Sequence, residues 1–416
     1  MNKMERWWIA LAGVLLQMAL GAIYAWSVFR IPLSKEFHWT ISQVTLTFTI
    51  AIFVMGFAAF LGGLWLKKVG PSRVAMTGGA LYGLGVFLAS FSNNGLWWLY
   101  LSYGLIGGIG LGLGYIVPVA VLLKWFPDKR GLMTGVAVGG FGAGALVTAP
   151  IAAHLIQTVG VLKTFAYLGV VYIVVAVTAG YFLRNPPEGW APEGWVPKPK
   201  QTSQRAAKDF TLGGALGRWQ WWGLWLVLFV NTTAGISVIS QEAPMFQELT
   251  GVTAIVAAKM VGGLALGNAL GRVFWAWVSD GITRKVTFAV MFVLQAALFW
   301  VYPSLHTTTV ISVVTFVILM CYGGGFGTMP AFAADYFGSA NVGPIYGLML
   351  TAWGFASVFG PLMIAHERQT SGGYGGGLHA IAALLLVSVV LPLLMRPPGS
   401  EQADELPGPS VVQDAG

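Results

Sequence analysis

The sequence predicts an all-α membrane protein whose twelve transmembrane helices form two halves of six. Three observations lead to this prediction. Hydrophobic residues make up 56% of the 416 positions and charged residues only 9%, whereas a soluble domain carries about 25% charged residues. Twelve apolar runs are long enough to cross a hydrocarbon layer roughly 30 Å thick. One long polar stretch, rich in proline and glycine, divides those runs six and six.

The predicted spans follow the apolar runs in chain order. The first run follows a basic N-terminus like that of a signal peptide, but it continues through Tyr24 and Trp26 without a clear cleavage site. It is therefore predicted as the first helix. Spans 4 and 5 are rich in glycine, which suits helices that pack closely in lipid. The predicted extents are 7–28, 43–65, 75–93, 97–123, 132–158, 163–183, 219–240, 254–279, 286–304, 308–332, 344–365 and 376–395.

The segments between and after these runs complete the predicted organisation. Residues 1–183 form an N-terminal six-helix half, 184–218 a cytoplasmic linker and 219–395 a C-terminal six-helix half. The stretch LGGALGRWQWW before span 7 is predicted as a short helix on the membrane surface, with plain linker as the alternative. Residues 396–416 are rich in proline, glycine and acid, which predicts a disordered cytoplasmic tail.

Lysine and arginine are distributed unevenly between the two sets of loops. With a cytoplasmic N-terminus, 17 of the 23 lysines and arginines lie inside, 5 lie outside, and Arg272 lies within span 8. Cytoplasmic loops carry the excess of positive residues. We therefore predict a multi-pass protein of the cell inner (plasma) membrane with both termini cytoplasmic. The net charge of +8 then reflects topology and does not indicate nucleic-acid binding.

The sequence contains no pattern typical of catalysis or metal binding. The single cysteine, Cys321, excludes an intrachain disulfide and a cysteine-based zinc cluster. The five histidines are scattered, and there is no HExxH, GxSxG or P-loop motif. We therefore predict a protein that is not an enzyme, uses no cofactor or metal, and acts as a monomer. Because the sequence has no P-loop, the protein would have no ATP drive of its own. Any transport would therefore have to depend on gradients or on exchange.

Arg272, in the stretch GNALGRVFWAWVSD, is a charged residue inside a predicted span. Placing a charge there costs from about 2.5 to above 10 kcal/mol. In the functional interpretation, Arg272 faces a water-filled cavity and binds an anion, because its planar fork matches a carboxylate and cannot lose its charge. In the structural alternative, it snorkels to the headgroups or pairs with Asp280 two turns on. One buried cation should select one carboxylate.

Other polar residues could share that cavity. Tyr24, Tyr115 and Tyr322, in spans 1, 4 and 10, combine an apolar ring with one hydrogen-bonding tip, which suits a small organic acid. Asn268 lies one turn before Arg272 on the same helix face. It could orient the arginine or touch the substrate. Ordinary core packing or interhelical hydrogen bonding is the alternative for each of these residues, and packing is also the alternative for Trp353.

Several stretches resemble the major facilitator superfamily. The loops GLWLKKVGPSR (63–73) and AWVSDGITRK (276–285) take corresponding places in the two halves and resemble its loop motif of glycine, aspartate and closing basic residues. The second copy keeps Asp280 and Arg284, whereas Lys67 replaces the aspartate in the first. KWFPDKRGLMTG (124–135) resembles a loop of the oxalate/formate antiporter family, which is related to the monocarboxylate transporters. The resemblance implies gating roles for Asp280, Arg284, Asp128 and Arg130.

The same resemblance implies the major facilitator fold, with a substrate site between the halves and alternating access. By this resemblance, the oxalate exchanger has two cations in its cavity, an arginine in span 8 and a lysine in span 11. Arg272 matches the arginine, and Trp353 stands at the position of the lysine. The family's remaining pocket aromatics match Tyr24, Tyr115, Tyr322 and Phe326. Animal monocarboxylate transporters carry an aspartate implicated in proton coupling where this chain has Asn268.

These observations predict a secondary transporter of small monocarboxylates, such as lactate or pyruvate, that is proton-coupled and anchors the carboxylate on Arg272. Its partners would be the lipid bilayer, a small organic anion and a proton. An oxalate/formate-type exchanger is the alternative within transport, and a non-transporting sensor on the same fold is an alternative of another class. Candidates for the proton site are Glu242 near the outer end of span 7, His379 in span 12 and His154 in span 5, each with a structural alternative.

Overall fold

The computed structural model describes residues 3–126, 130–187, 190–192, 209–338 and 341–398. In this part of the chain, twelve helical segments are long and apolar enough to cross a membrane. They confirm the predicted all-α membrane fold. The six spans before the linker are Glu5–Ala25, Ile41–Leu66, Pro71–Asn94, Leu96–Leu122, Gly135–Val159 and Val161–Phe182. The six after it are Trp219–Thr250, Ala254–Ile282, Arg284–Ser304, Thr308–Phe337, Val342–Ser371 and Gly375–Leu394.

Several spans consist of more than one helix. The α-helices of the first half are Lys3–Gly21, Ser27–Phe37, Ile41–Val69, Pro71–Leu88, Leu96–Leu99, Gly107–Trp125, Arg130–Gly142, Gly144–Val159 and Val161–Phe182. Those that follow are Leu212–Leu216, Trp219–Thr250, Ala254–Ile282, Arg284–Val301, Thr308–Phe337, Val342–Met349, Thr351–Ser371, Gly375–Ser388 and Val390–Leu394. The five-residue helix Leu212–Leu216 falls in the stretch where a short helix was predicted.

Breaks inside the spans lie beside residues of the predicted cavity. Span 1 tightens into a 3₁₀ turn at Ala22–Ala25, which contains Tyr24. Span 5 is interrupted at Ala143. Span 11 is interrupted at Leu350, three residues before Trp353. Such breaks are tolerated at membrane depth where the backbone is buried in protein or lines a cavity.

Span 7 is longer than the sequence predicts. The prediction ends it at residue 240, just before the polar residues Gln241 and Glu242 and before Pro244. The helix in fact runs from Trp219 to Thr250 with Pro244 inside it. Both polar side chains are buried by neighbouring helices, and Gln241 donates a hydrogen bond to Thr45 of span 2 at 2.9 Å. Tertiary packing thus overrides the local polarity of this segment.

The two similar loops fold alike. Span 2 passes to span 3 through Gly70, with φ 83° and ψ 166°, and span 8 passes to span 9 through Thr283, with φ 86° and ψ 148°. In each case one residue in a conformation that favours glycine separates two helices. The structural match extends the sequence match between residues 63–73 and 276–285.

The spans before and after the linker meet along several helices at the end of the bundle opposite Glu5, where the first span begins, and Leu394, where the last span ends. We call this end the distal end. Spans 2 and 11 exchange two hydrogen bonds: the Thr49 hydroxyl donates to the Ser357 carbonyl at 2.9 Å, and the Ser357 hydroxyl donates to the Thr49 carbonyl at 3.1 Å. Nearer the distal end, the Ser42 amide donates to the Gln369 side chain at 3.3 Å. These bonds hold the two halves together on that side.

Candidate functional site

The close packing of spans 8 and 10 determines where Arg272 lies. Gly271 and Gly327 sit at this crossing, and a methyl group on either would overlap a carbonyl oxygen of the facing helix, that of Met320 or of Arg272 itself. Small residues let helix backbones approach closely in a membrane. The Arg272 side chain is consequently enclosed by protein, with 1% of its surface exposed.

Arg272 is buried without an acidic partner among the described residues. Within the described residues, its Nε, Nη1 and Nη2 atoms make no hydrogen bond. The guanidinium carbon instead lies 4.9 Å from the ring centre of Phe326, a cation–π distance. Tyr24 and Tyr115 are near enough to interact with the cation electrostatically. A buried charge without a counter-charge is expensive.

Both structural alternatives for Arg272 are wrong. The side chain does not reach the surface, since it is almost completely buried. Asp280, the proposed intramolecular partner, instead forms an ion pair with Arg284 at 2.6 Å. Arg284 Nε also lies 3.4 Å from the Asp335 carboxylate of span 10. The cluster of Asp280, Arg284 and Asp335 ties spans 8, 9 and 10 together at the end that carries the chain termini.

Aromatic side chains from both halves surround the guanidinium. The Tyr24 and Tyr322 hydroxyls lie 2.8 Å apart and share a hydrogen bond across the halves. Trp353 packs edge-on against Phe326 at 4.7 Å and against Tyr115 at 5.7 Å between ring centres. The structure therefore brings the five predicted aromatic residues together beside Arg272. We call this group, with Phe141, the aromatic box.

Phe141 completes the box, and the sequence analysis missed it. Its ring centre lies 5.2 Å from that of Tyr24, 5.1 Å from Tyr115 and 5.7 Å from Trp353. The clue was present in the stretch TGVAVGGFGAG, where one large ring interrupts a run of small residues. Tyr346 of span 11 was also missed, and it lies near enough to Arg272 and Tyr115 for electrostatic interaction.

Asn268 lies between the aromatic box and a small internal cavity. Its Oδ1 atom is buried without a hydrogen-bond partner among the described residues. It lines the cavity together with Tyr24, Glu242 and apolar residues of spans 5, 7, 8 and 10. Asn231, by contrast, has a structural role, because it donates to the carbonyls of Cys321 and Tyr322 and accepts from Gln295.

An ion-pair network at the distal end escaped the sequence analysis. Glu248 at the end of span 7 accepts hydrogen bonds from Arg30 at 2.6 Å and from Arg368 at 2.5 Å, and it also bonds the Tyr374 hydroxyl. Arg30 follows span 1 and Arg368 belongs to span 11, so the network joins the two halves. We call it the distal clasp.

The remaining predicted residues are less fully described. Asp128 lies outside the described residues, as does the side chain of Arg130. His154 is exposed, and His379 contacts the carbonyl of Trp300 at 3.1 Å. In the described part of the chain, no group of three or more histidine, cysteine or acidic side chains could hold a metal ion.

Twelve helices in the described part of the chain are long and apolar enough to cross a membrane, which defines a multi-pass membrane protein. The chain belongs to the major facilitator superfamily, whose sequence model matches residues 9–361. It is accordingly a transporter and not an enzyme. The predicted family membership is confirmed, and it rests on most of the chain.

Individual relatives agree with this assignment. The oxalate:formate antiporter of Oxalobacter formigenes is 28% identical over 94% of this chain and 93% of its own length. Monocarboxylate transporter 13 of Rattus norvegicus is 27% identical over 91% of this chain and 86% of its own. Among solved structures, an inward-facing, unoccupied bacterial homologue of the human lysosomal transporter Spinster superposes with a TM-score of 0.72. It shares 16% identity and covers 95% of this chain and 97% of that one, so it supports the fold alone.

Proposed function

We propose that this protein is a secondary transporter of small monocarboxylates, of the lactate or pyruvate type, in which Arg272 binds the substrate carboxylate. The observation that carries the proposal is the guanidinium buried without an acidic partner among the described residues. A carboxylate can accept two parallel N–H bonds from a guanidinium, which adds geometric specificity to the charge attraction. The names of the two relatives, an oxalate:formate antiporter and a monocarboxylate transporter, point to the same class of substrate.

Charge balance favours a monoanion over a dianion. One guanidinium neutralises one carboxylate, whereas a dianion would leave a buried negative charge unpaired. Trp353 contributes no second cation, and its ring lies against Phe326 and Tyr115. The box is otherwise lined by rings with a few hydroxyl tips, which suits the short apolar body of a molecule such as lactate.

The transport cycle follows from the two halves. We infer that residues 1–183 and 219–395 form the rocking halves, joined by a linker at 184–218, and that residues 396–416 form a tail. Both termini face the cytoplasm, so the distal end faces outward across the cell membrane. The distal clasp closes the outer side, and the cluster around Asp280 and Arg284 belongs to the inner side. The protein works as a monomer, and the substrate moves together with a proton.

Oxalate/formate exchange is the second candidate, favoured by the end-to-end match to the antiporter. The two functions differ in the net charge that is carried across the membrane and in the driving force. A monocarboxylate that moves with one proton is carried without net charge and accumulates under a proton gradient. An exchanger requires a preloaded counter-substrate instead.

The test is uptake of labelled L-lactate into proteoliposomes, with and without an inward proton gradient. Arg272→Lys keeps the charge and loses the planar fork. Hydrogen bonds to charged groups contribute about 1.5–3 kcal/mol each, so the variant should lose roughly 10-fold or more of its apparent affinity. Arg218→Lys is the control, because Arg218 is exposed and outside the site. Exchange of preloaded oxalate without any lactate uptake would favour the second candidate, and unchanged kinetics in Arg272→Lys would remove the assigned role of Arg272.

A further inference from the structure

Glu242 is an acidic residue that the site described above does not use. It lies inside span 7 and is 2% exposed. Its Oε1 atom has no hydrogen-bond partner among the described residues. The acids nearer the membrane surface differ in this respect, since Glu248 and Asp280 both form ion pairs. A lone acid at this depth requires a functional explanation.

The groups that face Glu242 offer no counter-charge. The cavity that Glu242 lines is bounded by Tyr24, by Asn268 and by small or apolar residues of spans 5, 7, 8 and 10. From span 9, Tyr302 is near enough for electrostatic interaction, and its hydroxyl is already bonded to Thr315 at 2.8 Å. The nearest charged groups along span 7 belong to the distal clasp, where Glu248 lies six residues away, about 9 Å of helix.

The cavity extends from Glu242 toward Arg272. Glu242 lies eight residues before the end of span 7 at Thr250, about 12 Å along the helix. Asn268 lies fourteen residues after the start of span 8 at Ala254, about 21 Å along its helix. Tyr24 and Asn268 line the cavity. Tyr24 is also near enough to Arg272 for electrostatic interaction, and Asn268 precedes Arg272 by one turn of span 8. These two residues therefore connect the cavity that holds the acid with the surroundings of the cation.

We propose that Glu242 is the residue that carries the coupled proton. The inference rests on the proposed function. With the distal end closed over a bound substrate, the guanidinium is already neutralised, so a Glu242 carboxylate would be an uncompensated buried charge and the side chain is the neutral acid. When the distal clasp opens, water reaches the carboxyl group and makes the charged form tolerable. Closure of the distal end over substrate then requires that Glu242 take a proton from the outside.

The charges on Arg272 and Glu242 explain why substrate and proton move together. With both bound, the guanidinium is neutralised by the substrate carboxylate and Glu242 is neutral. With both released, the guanidinium and the Glu242 carboxylate balance each other. Either half-loaded state leaves one net charge in the closed bundle, which is unfavourable in a low-dielectric interior. The Glu242 carboxylate gains one proton from external water and loses one to internal water, and no other bond changes.

The experiment compares the wild type with Glu242→Gln, which is close in shape and always neutral. In proteoliposomes with a pH difference of one unit, one-to-one coupling predicts about tenfold accumulation of labelled lactate. Glu242→Gln should lose this accumulation and the pH dependence of uptake, while it retains exchange of internal for external lactate. Glu36→Gln, an exposed acid that precedes span 2, is the matched control and should accumulate normally.

The outcomes separate this inference from the function on which it rests. Full accumulation by Glu242→Gln overturns the proton role and leaves the monocarboxylate transporter intact. Wild-type protein that exchanges lactate but never accumulates it under a proton gradient also overturns that role. Wild-type protein that moves no monocarboxylate overturns both proposals.

A second variant distinguishes loss of proton coupling from a general loss of activity. If Glu242→Gln also fails in lactate exchange, Glu242→Asp is measured next. Restored gradient-driven accumulation in Glu242→Asp supports a role that requires an acid. Failure of both variants marks Glu242 as structural. Infrared spectroscopy of the detergent-solubilised protein gives a readout independent of transport. With lactate bound, the carbonyl band of a protonated carboxylic acid should be present in the wild type and reduced in Glu242→Gln. An unchanged band would contradict the assignment.

Discussion

Removal of the Arg272 charge should stabilise the substrate-free protein while it abolishes transport. Three guanidinium nitrogens are buried without hydrogen-bond partners, and an unsatisfied buried donor costs about 1–3 kcal/mol. Arg272→Met fills a similar space without those donors, so the gain should be about 3 kcal/mol. For a large domain this corresponds to a rise in melting temperature on the order of 5 °C. Thermal unfolding of the detergent-solubilised protein measures it.

The control for this prediction is a buried arginine that has a partner. Arg30 is 2% exposed but bonds Glu248 at 2.6 Å. Arg30→Met should therefore destabilise the protein, by about 1 kcal/mol or more, because Glu248 loses one of its two cations. Added lactate should raise the melting temperature of the wild type and leave that of Arg272→Met unchanged. A lower melting temperature in Arg272→Met would refute the view that this charge is kept for a ligand.

Two further predictions concern selectivity and helix packing. Trp353→Lys places a second cation beside Arg272 and should strengthen competition by oxalate against lactate uptake by about tenfold, since a charged hydrogen bond contributes at least about 1.5 kcal/mol; unchanged competition would show that residue 353 does not face the ligand. Gly271→Ala inserts a methyl group against the Met320 carbonyl and should lower stability by about 1–3 kcal/mol. Gly263→Ala on the same helix meets no atom within 4 Å, so it should have no destabilising effect in the same melting experiment.

The sequence was sufficient for the number and type of the helices because hydropathy is a local property. It was not sufficient for the end of span 7, where Gln241 and Pro244 look like the end of a helix. Those residues are accommodated because Gln241 bonds Thr45 of span 2, a partner 196 positions away in the chain. The hydrogen bonds that satisfy a buried polar group are not visible in its own segment.

In the candidate site, too, residues with a strong local signal were predicted, and contacts between residues distant in the chain were not. Arg272 was conspicuous because a charge in an apolar run is rare, and the family resemblance supplied most of its neighbours. Phe141 had only a weak local signal, one large ring within a run of small residues, and that signal does not indicate which distant aromatic residues it contacts. The distal clasp was missed for a similar reason: Arg30 and Glu248 are 218 positions apart, and only the folded chain brings them together.

The interlocked glycines of spans 8 and 10 have a consequence for how the cavity opens. Because the two backbones are in direct contact, Arg272, Tyr322 and Phe326 must travel as one rigid piece. Tyr24, Tyr115 and Phe141 belong to the spans before the linker, so in the proposed rocking cycle they would stay behind when the halves part. The hydrogen bond between Tyr24 and Tyr322 lies on the line of separation. A ligand bound in the aromatic box would therefore lose its contacts with half of the box in the same movement that opens an exit path.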